Sequence, residues 1–335
     1  MIIVWLKFIA CIVIILFAGR NVAKYGDIIA SKTGLGGLWI GVLIVAIATS
    51  LPELFTGISS VAILKAPDLA IGDLFGANAF NLFNLALLDI AYRKKPILSE
   101  ANPRHTLAAS LSIIMIAFPA VCLFLGPMLD VVKLGYIGIY TPVILILYVA
   151  IIRMIFKFEK DAKTEQEDNE TFYDENITIS LRRAYIYYGI SAVIIIAAGI
   201  WLAFVGKEVS LITGWEQSFV GSLFLAFTTT LPEITVSFAA LRLGAIDICV
   251  ANMIGSNIFN MAIIFVTDIF YFNGPILSHV STSHIFTAMS VIIMSGIVIA
   301  GLTSRSKGRK PLFVSWHAPM LVLVFLLTAY INFVI

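Results

Sequence analysis

Charge is scarce in this 335-residue chain: only 13% of its residues are Asp, Glu, Lys or Arg, and the net charge is +2. So small a surplus excludes the basic footprint that binds nucleic acid. Cysteine is scarce too, and Cys11, Cys122 and Cys249 stand singly in apolar stretches. That excludes a disulfide framework and a Cys-ligated zinc site. Of the four histidines only His279 and His284 are near neighbours. Their spacing does not place them on one helical face, as i, i+4 ligands would be, and both read as interfacial. No Ser-His, Cys-His or metal-hydrolase spacing accompanies an acidic residue, so an enzyme is not expected. No cofactor is expected either.

What abounds is apolar. Sixty per cent of the residues are hydrophobic and the mean hydropathy is +1.00. A soluble domain of this length could not bury that surface, so the chain reads as an all-α polytopic membrane protein. Spans of about 20 apolar residues are expected near 2–20, 36–63, 69–91, 106–127, 134–157, 183–205, 216–241, 246–272, 282–302 and 311–334. They leave no room for a separate soluble domain. The first run, from Ile2 to Ala18, lacks a basic start and a small-residue cleavage site, so it reads as a retained helix.

Residues 158–182 interrupt the pattern, with eight of the 20 acidic residues. They form a solvated loop without EF-hand spacing. The other Lys and Arg give an orientation. Eighteen of the 22 follow the odd-numbered spans, against Lys65, Lys133 and Lys207 on the other side. The positive-inside rule then puts both termini outside and the 158–182 loop in the cytoplasm. The glycosylation patterns at Asn169 and Asn176 are discounted on that topology. Arg20 snorkels to the cytoplasmic side.

The sequence repeats itself. GVLIVAIATSLPELFTGISS from residue 41 is matched by GSLFLAFTTTLPEITVSFAA from residue 221. Thr49, Pro52 and Glu53 align with Thr229, Pro232 and Glu233 at an offset of 180. Asp68, Gly76, Asn78, Phe80, Asn81 and Asp89 align with Asp247, Gly255, Asn257, Phe259, Asn260 and Asp268 at an offset of 179. The second copy begins five spans after the first, and an odd number inverts it. The expected architecture is two inverted five-helix repeats, 1–157 and 183–335, around the loop, with a binding site at their interface.

Glu53 and Glu233 fall mid-span, where a carboxylate is costly unless it meets a polar cavity or a cation. Thr49 and Ser50 precede Glu53 by a helical turn, and Thr229 and Thr230 precede Glu233. Hydroxyls and carboxylates are hard oxygen ligands suited to calcium, sodium or magnesium. Pro52 and Pro232 free the carbonyls of Ala48 and Thr228. On the following helix, Asp73, Ala77 and Asn81 form one stripe, matched by Asn252, Ser256 and Asn260. Gly72, Gly76 and Gly255 allow close helix approach. Asp68 and Asp247 read as N-caps of their own helices, and Asp89 and Asp268 as interfacial.

At these residues the chain resembles the cation/calcium exchanger superfamily, of the sodium/calcium exchanger type. Its two alpha-repeats carry G-T-S-x-P-E and then G-N-x-x-G-S-N-x-F-N/D. Here they read A-T-S-L-P-E with G-D-L-F-G-A-N-A-F-N, and T-T-T-L-P-E with A-N-M-I-G-S-N-I-F-N. The resemblance implies an alternating-access antiporter of Ca2+ against Na+, or against H+. It implies Glu53 and Glu233 as central ligands, helped by Thr49, Ser50, Thr229 and Thr230. Backbone oxygens of Ala46 and Ala226 would contribute, and Asn81, Ser256 and Asn260 would complete the sites. It also implies that the first and sixth helices slide against the rest. The chain departs from the pattern at Ala48, Thr228 and Ala77, at Asn260 where an acid is expected, and at Asp73 where an asparagine is expected. Asp73 is therefore kept as a candidate ligand. Expected partners are membrane lipids and the transported cations, with a monomer in a prokaryotic plasma membrane.

Overall fold

The computed structural model describes residues 1–32, 46–92, 95–129, 133–163, 179–304 and 315–334. Among them the fold is almost entirely helical. The long helices are α1 (Ile2–Lys32), α2 (Leu51–Ala62), α3 (Pro67–Ala91), α4 (His105–Leu129), α5 (Tyr140–Lys163), α6 (Leu181–Thr213), α7 (Leu231–Leu243), α8 (Ile246–Phe270), α9 (Ser283–Thr303) and α10 (His317–Val334). A two-stranded hairpin, Lys133–Leu134 with Ile137–Gly138, leads into α5.

Eight of the described helices are long and apolar enough to cross a membrane. Gln217–Thr229 with α7 makes a ninth, bent by 42°. The expected second span, 36–63, lies partly outside the described residues, as do most of the 158–182 loop and the start of the tenth span. Large apolar side chains face outward, among them Phe17 at 64%, Ile146 at 66% and Leu323 at 66% exposure. Contiguous apolar surface of this kind suits lipid rather than water.

Helix lengths exceed the expected spans where hydropathy fades but helix-forming residues continue. α1 runs on to Lys32, beyond the expected end at residue 20. α6 continues to Thr213 and stops at Gly214, whose φ of 74° is the left-handed conformation glycine adopts easily. α5 reaches Lys163, into the residues read as loop.

The core is built around α3 and α8, which pack on each other. In each, 78% of the most apolar window is buried, against 22% for α5. α1 packs along α6, and α6 also covers α2. Small residues permit the close approaches. A side-chain carbon on Gly72 would come within 2.9 Å of the Ser218 carbonyl, and one on Gly76 would overlap the Ser222 backbone. The wide turn Val220–Leu225, a π-helical stretch, presents that backbone. Gly255 is different: among the described residues a methyl there would meet Ala46 alone, at 3.5 Å.

Of the four aspartates outside the repeat centre, two correct their expected roles. α3 and α8 are preceded by Ala66 and Ala245, and neither helix has a side-chain cap. Asp68 instead accepts from the backbone N–H of Ser281 at 2.7 Å and pairs with His284 Nε2 at 3.0 Å. Asp247 does the same with Asn102 N–H at 2.6 Å and His105 Nε2 at 2.9 Å. Each aspartate, one residue inside its own helix, therefore ties down the segment that leads into another helix, α9 or α4, through one backbone N–H and one histidine. His284, read as interfacial, is buried by this pairing. Asp89 and Asp268, near the far ends of α3 and α8, are fully buried within the protein. Asp89 accepts from Ile97 N–H at 2.7 Å and from the Ser315 hydroxyl. Asp268 accepts from Ile276 N–H at 2.6 Å, Gly138 N–H at 2.9 Å, and the hydroxyls of Tyr140 and Thr141. Burial is affordable for these carboxylates because donors surround them.

Candidate functional site

The two glutamates stand where helices break. Residues 46–49 are helical, the chain turns at Ser50, and α2 starts at Leu51. Ala226–Thr229 is helical, the chain turns at Thr230, and α7 starts at Leu231. The prolines explain both breaks. Pro52 and Pro232 have no N–H to continue the ladder from the preceding turn, yet fit the first turn of a new helix. Glu53 and Glu233 follow directly, each in the first turn of its new helix, where the helix dipole favours an anion.

All three carboxylates of the site, Glu53, Asp73 and Glu233, are fully buried. Thr49, Ser50, Thr229, Thr230, Asn81, Ser256 and Asn260 are buried with them. Ser50 Oγ donates to Glu233 Oε1 at 2.9 Å, and Ser256 Oγ to the same atom at 3.4 Å. Thr229 Oγ1 donates to Asp73 Oδ1 at 2.9 Å. The charged groups that bear on Glu53 are Glu233 and Asp73. Residues from both sequence copies thus meet in one place.

Several expected ligands are occupied within their own helices. The Ala46 carbonyl accepts from Ser50 N–H at 3.1 Å and from Thr49 Oγ1 at 3.2 Å. The Ala226 carbonyl accepts from Thr229 Oγ1 at 3.3 Å and Thr230 Oγ1 at 2.7 Å. Thr230 also leans on the Phe227 carbonyl at 3.3 Å. Its hydroxyl would have to rotate to face an ion, whereas Ser50 at the matching position already points across the interface.

α3 and α8 are joined by an amide cluster in which Asn81 and Asn260 meet Asn78 and Asn257, two residues that the sequence reading left without a role. Asn78 Nδ2 donates to the Asn257 carbonyl at 3.3 Å, and Asn257 Nδ2 to the Asn78 carbonyl at 3.4 Å. Asn81 Nδ2 donates to Asn257 Oδ1 at 3.0 Å, and Asn260 Nδ2 to Asn78 Oδ1 at 3.1 Å. The four bonds join α3 to α8 with matching residues in matching roles. The signal was available: Asn78 and Asn257 align at the same offset as the residues around them.

The arrangement leaves many buried oxygens without a hydrogen-bond donor. They are both carboxylate oxygens of Glu53, Asp73 Oδ2, Glu233 Oε2, and the amide oxygens of Asn81, Asn252 and Asn260. Buried acceptors normally find donors. Bare oxygens on three buried carboxylates that bear on one another call for cations. Among the described residues, no three His, Cys, Asp or Glu side chains are close enough to make a ready metal cluster. A cation here would be held by carboxylate, amide and hydroxyl oxygens together, the donor chemistry of hard ions.

The sodium/calcium exchanger protein family matches residues 3–157 and 183–335. The chain belongs to that family. Curated relatives are membrane proteins. One is the inner membrane protein YrbG of Escherichia coli, 24% identical over 259 residues, covering 76% of this chain and 75% of the relative. Another is the uncharacterized membrane protein MJ0091 of Methanocaldococcus jannaschii, 28% identical over 247 residues, covering 73% and 74%. The fold is shared with solved exchangers. The sodium-calcium exchanger NCX_Mj superposes with a TM-score of 0.64 at 20% identity, over 98% of each chain. The H+/Ca2+ exchanger CAX gives 0.72 at 11% identity, over 99% of this chain and 85% of the other. The family is one of ion exchangers and transporters, not of enzymes.

Proposed function

We propose that this chain is a secondary active antiporter that exchanges calcium for sodium by alternating access. The observation that carries the reading is the set of bare buried oxygens contributed by both sequence copies. Carboxylates in a dry centre need positive charge, and either one divalent ion or several monovalent ions can supply it. Because the same oxygens serve both, the ions compete, and competition makes exchange obligatory. An empty site exposes uncompensated charge to any apolar gate and so resists switching. The reading includes ten spans in two inverted repeats, both termini outside and residues 158–182 in the cytoplasm. It places the protein as a monomer in a prokaryotic plasma membrane.

The contacts of α1 and α6 support their sliding. Gly19 of α1 faces Pro232, and Gly199 of α6 faces the Pro52 carbonyl, 3.1 Å from where a side-chain carbon would stand. Both moving helices would cross the helix breaks at residues without side chains.

The test is calcium uptake into sodium-loaded proteoliposomes, with and without an outward sodium gradient, beside Glu53→Gln and Glu233→Gln. Uptake that requires the gradient and both glutamates is expected. Flux without any counter-ion would mean a channel instead. A second reading, proton-driven exchange or exchange of magnesium or manganese, is favoured by Asp73, a third buried carboxylate. Sodium-independent uptake driven by a proton gradient would establish it.

A further inference from the structure

The two halves of the carboxylate centre are unequal. Glu233 Oε1 receives the hydroxyls of Ser50 and Ser256. At the matching places around Glu53, Thr230 turns its hydroxyl onto its own helix and Ala77 has none. Glu53 consequently keeps both carboxylate oxygens bare, at 0% exposure. Beside it, Asp73 has one oxygen held by Thr229 and the other, Oδ2, also bare. Thr229 stands between the two acids and also bears on Glu53.

Asp73 does not repeat the work of its counterpart. Asn252 donates to the Glu233 carbonyl at 3.3 Å and to Ser237 Oγ at 3.1 Å, which pins α8 to α7. An ionised carboxylate has no hydrogen to donate, so Asp73 makes no such bond. Asn260, in turn, gives its N–H to Asn78 Oδ1. An aspartate at that position would set two acceptor oxygens against each other. The amide clasp therefore occupies the place where the resemblance leads one to expect an acid.

We propose that Asp73 and Glu53 together form the divalent-cation subsite of this chain, with Thr229 between them. This rests on the exchanger reading above. Two carboxylates balance one divalent charge, Asp73 bears directly on Glu53, and the Thr229 hydroxyl reaches both. The transported ion then sits toward Glu53, not midway between Glu53 and Glu233. Asp73 supplies, from the first copy, the acid that the second copy lacks.

The experiment is calorimetric titration of the detergent-purified full chain with Ca2+ and Sr2+, comparing wild type, Asp73→Asn and Asp73→Glu. Folding is checked by monodisperse elution and thermal unfolding. Asp73→Asn is expected to weaken Ca2+ binding about tenfold or more, since affinity follows ligand charge. Asp73→Glu keeps the charge but moves it by one methylene, so the preference for Ca2+ over Sr2+ should shift about threefold or more. Asp73→Asn that binds Ca2+ within about twofold of wild type overturns the proposal. If Asp73→Asn does not fold, an unchanged Ca2+/Sr2+ ratio in Asp73→Glu overturns it. Ca2+ binding that depends on Asp73, in a protein without gradient-driven uptake, sinks the exchange reading and leaves this subsite standing. A wild type that binds neither ion sinks both.

Discussion

Asn78 and Asn257 hold each other across the centre of the protein, each side-chain nitrogen on the other's backbone carbonyl, at 3.3 and 3.4 Å. Their oxygens also orient the amides of Asn81 and Asn260. Replacing either by leucine keeps the branched four-atom outline, with methyls bulkier than the amide, and strands a carbonyl and an amide. Each substitution should cost about 1–3 kcal/mol, and the two losses should be alike. Thermal unfolding in detergent measures this, and a large loss at one position with none at the other would show that the clasp is not shared.

Glu53→Gln and Glu233→Gln should both stop exchange but should differ in stability. Among the described residues no donor stands at full hydrogen-bond distance from either Glu53 oxygen, and Thr229 is the one side-chain hydroxyl that bears on it, so neutralising it relieves crowded negative charge and should leave the melting temperature level or raised. Glu233 accepts Ser50 and Ser256, and these charge-assisted bonds weaken in the amide, by about 1 kcal/mol. Unfolding of both variants without calcium is the comparison, and a rise for Glu233→Gln with a fall for Glu53→Gln would reverse the assignment.

A methyl group distinguishes the repeat glycines. Gly76→Ala drives a carbon into the Ser222 backbone, which cannot swing aside as a side-chain tip would. A loss of about 1–3 kcal/mol is expected. Gly255→Ala meets Ala46 at an ordinary contact distance and should stay within about 0.5 kcal/mol of wild type. Equal effects would mean that the tight seam against the π-helical turn is not as described.

Asp268→Ala should be far harsher than Asp68→Asn. The first strands two backbone N–H groups and two hydroxyls in the interior. A loss of about 3 kcal/mol or more is expected, seen as poor yield or aggregated elution. The second keeps an oxygen for Ser281 at a partly exposed site, and should cost about 1 kcal/mol or less. Normal yield of Asp268→Ala would contradict the first expectation.

Much of the centre was legible because its physics is local. A proline followed by glutamate inside an apolar run forces a break and a costly charge, and its recurrence at a fixed offset marks both as deliberate. The stripe of Asp73 and Asn81 followed from helical spacing alone. What stayed hidden depended on partners far along the chain. Asp68 looks like a cap, but its carboxylate serves α9, more than two hundred residues later. Ser50 and Thr230 occupy equivalent places, yet only the packed structure shows one hydroxyl reaching across and the other folded back. α1 overran its expected end because hydropathy measures a slab's thickness, not the length of a helix.

The amide clasp has a consequence for descent. The two sequence copies carry the same asparagine, and each one's side chain holds the other's backbone. A change in one copy leaves the other with nothing to hold, so the two codons are inherited under a joint constraint. Asp73 has no such twin, since its counterpart Asn252 holds other partners. In lineages of this chain, positions 78 and 257 should therefore drift together or not at all, and position 260, whose amide is given to Asn78, should stay with them.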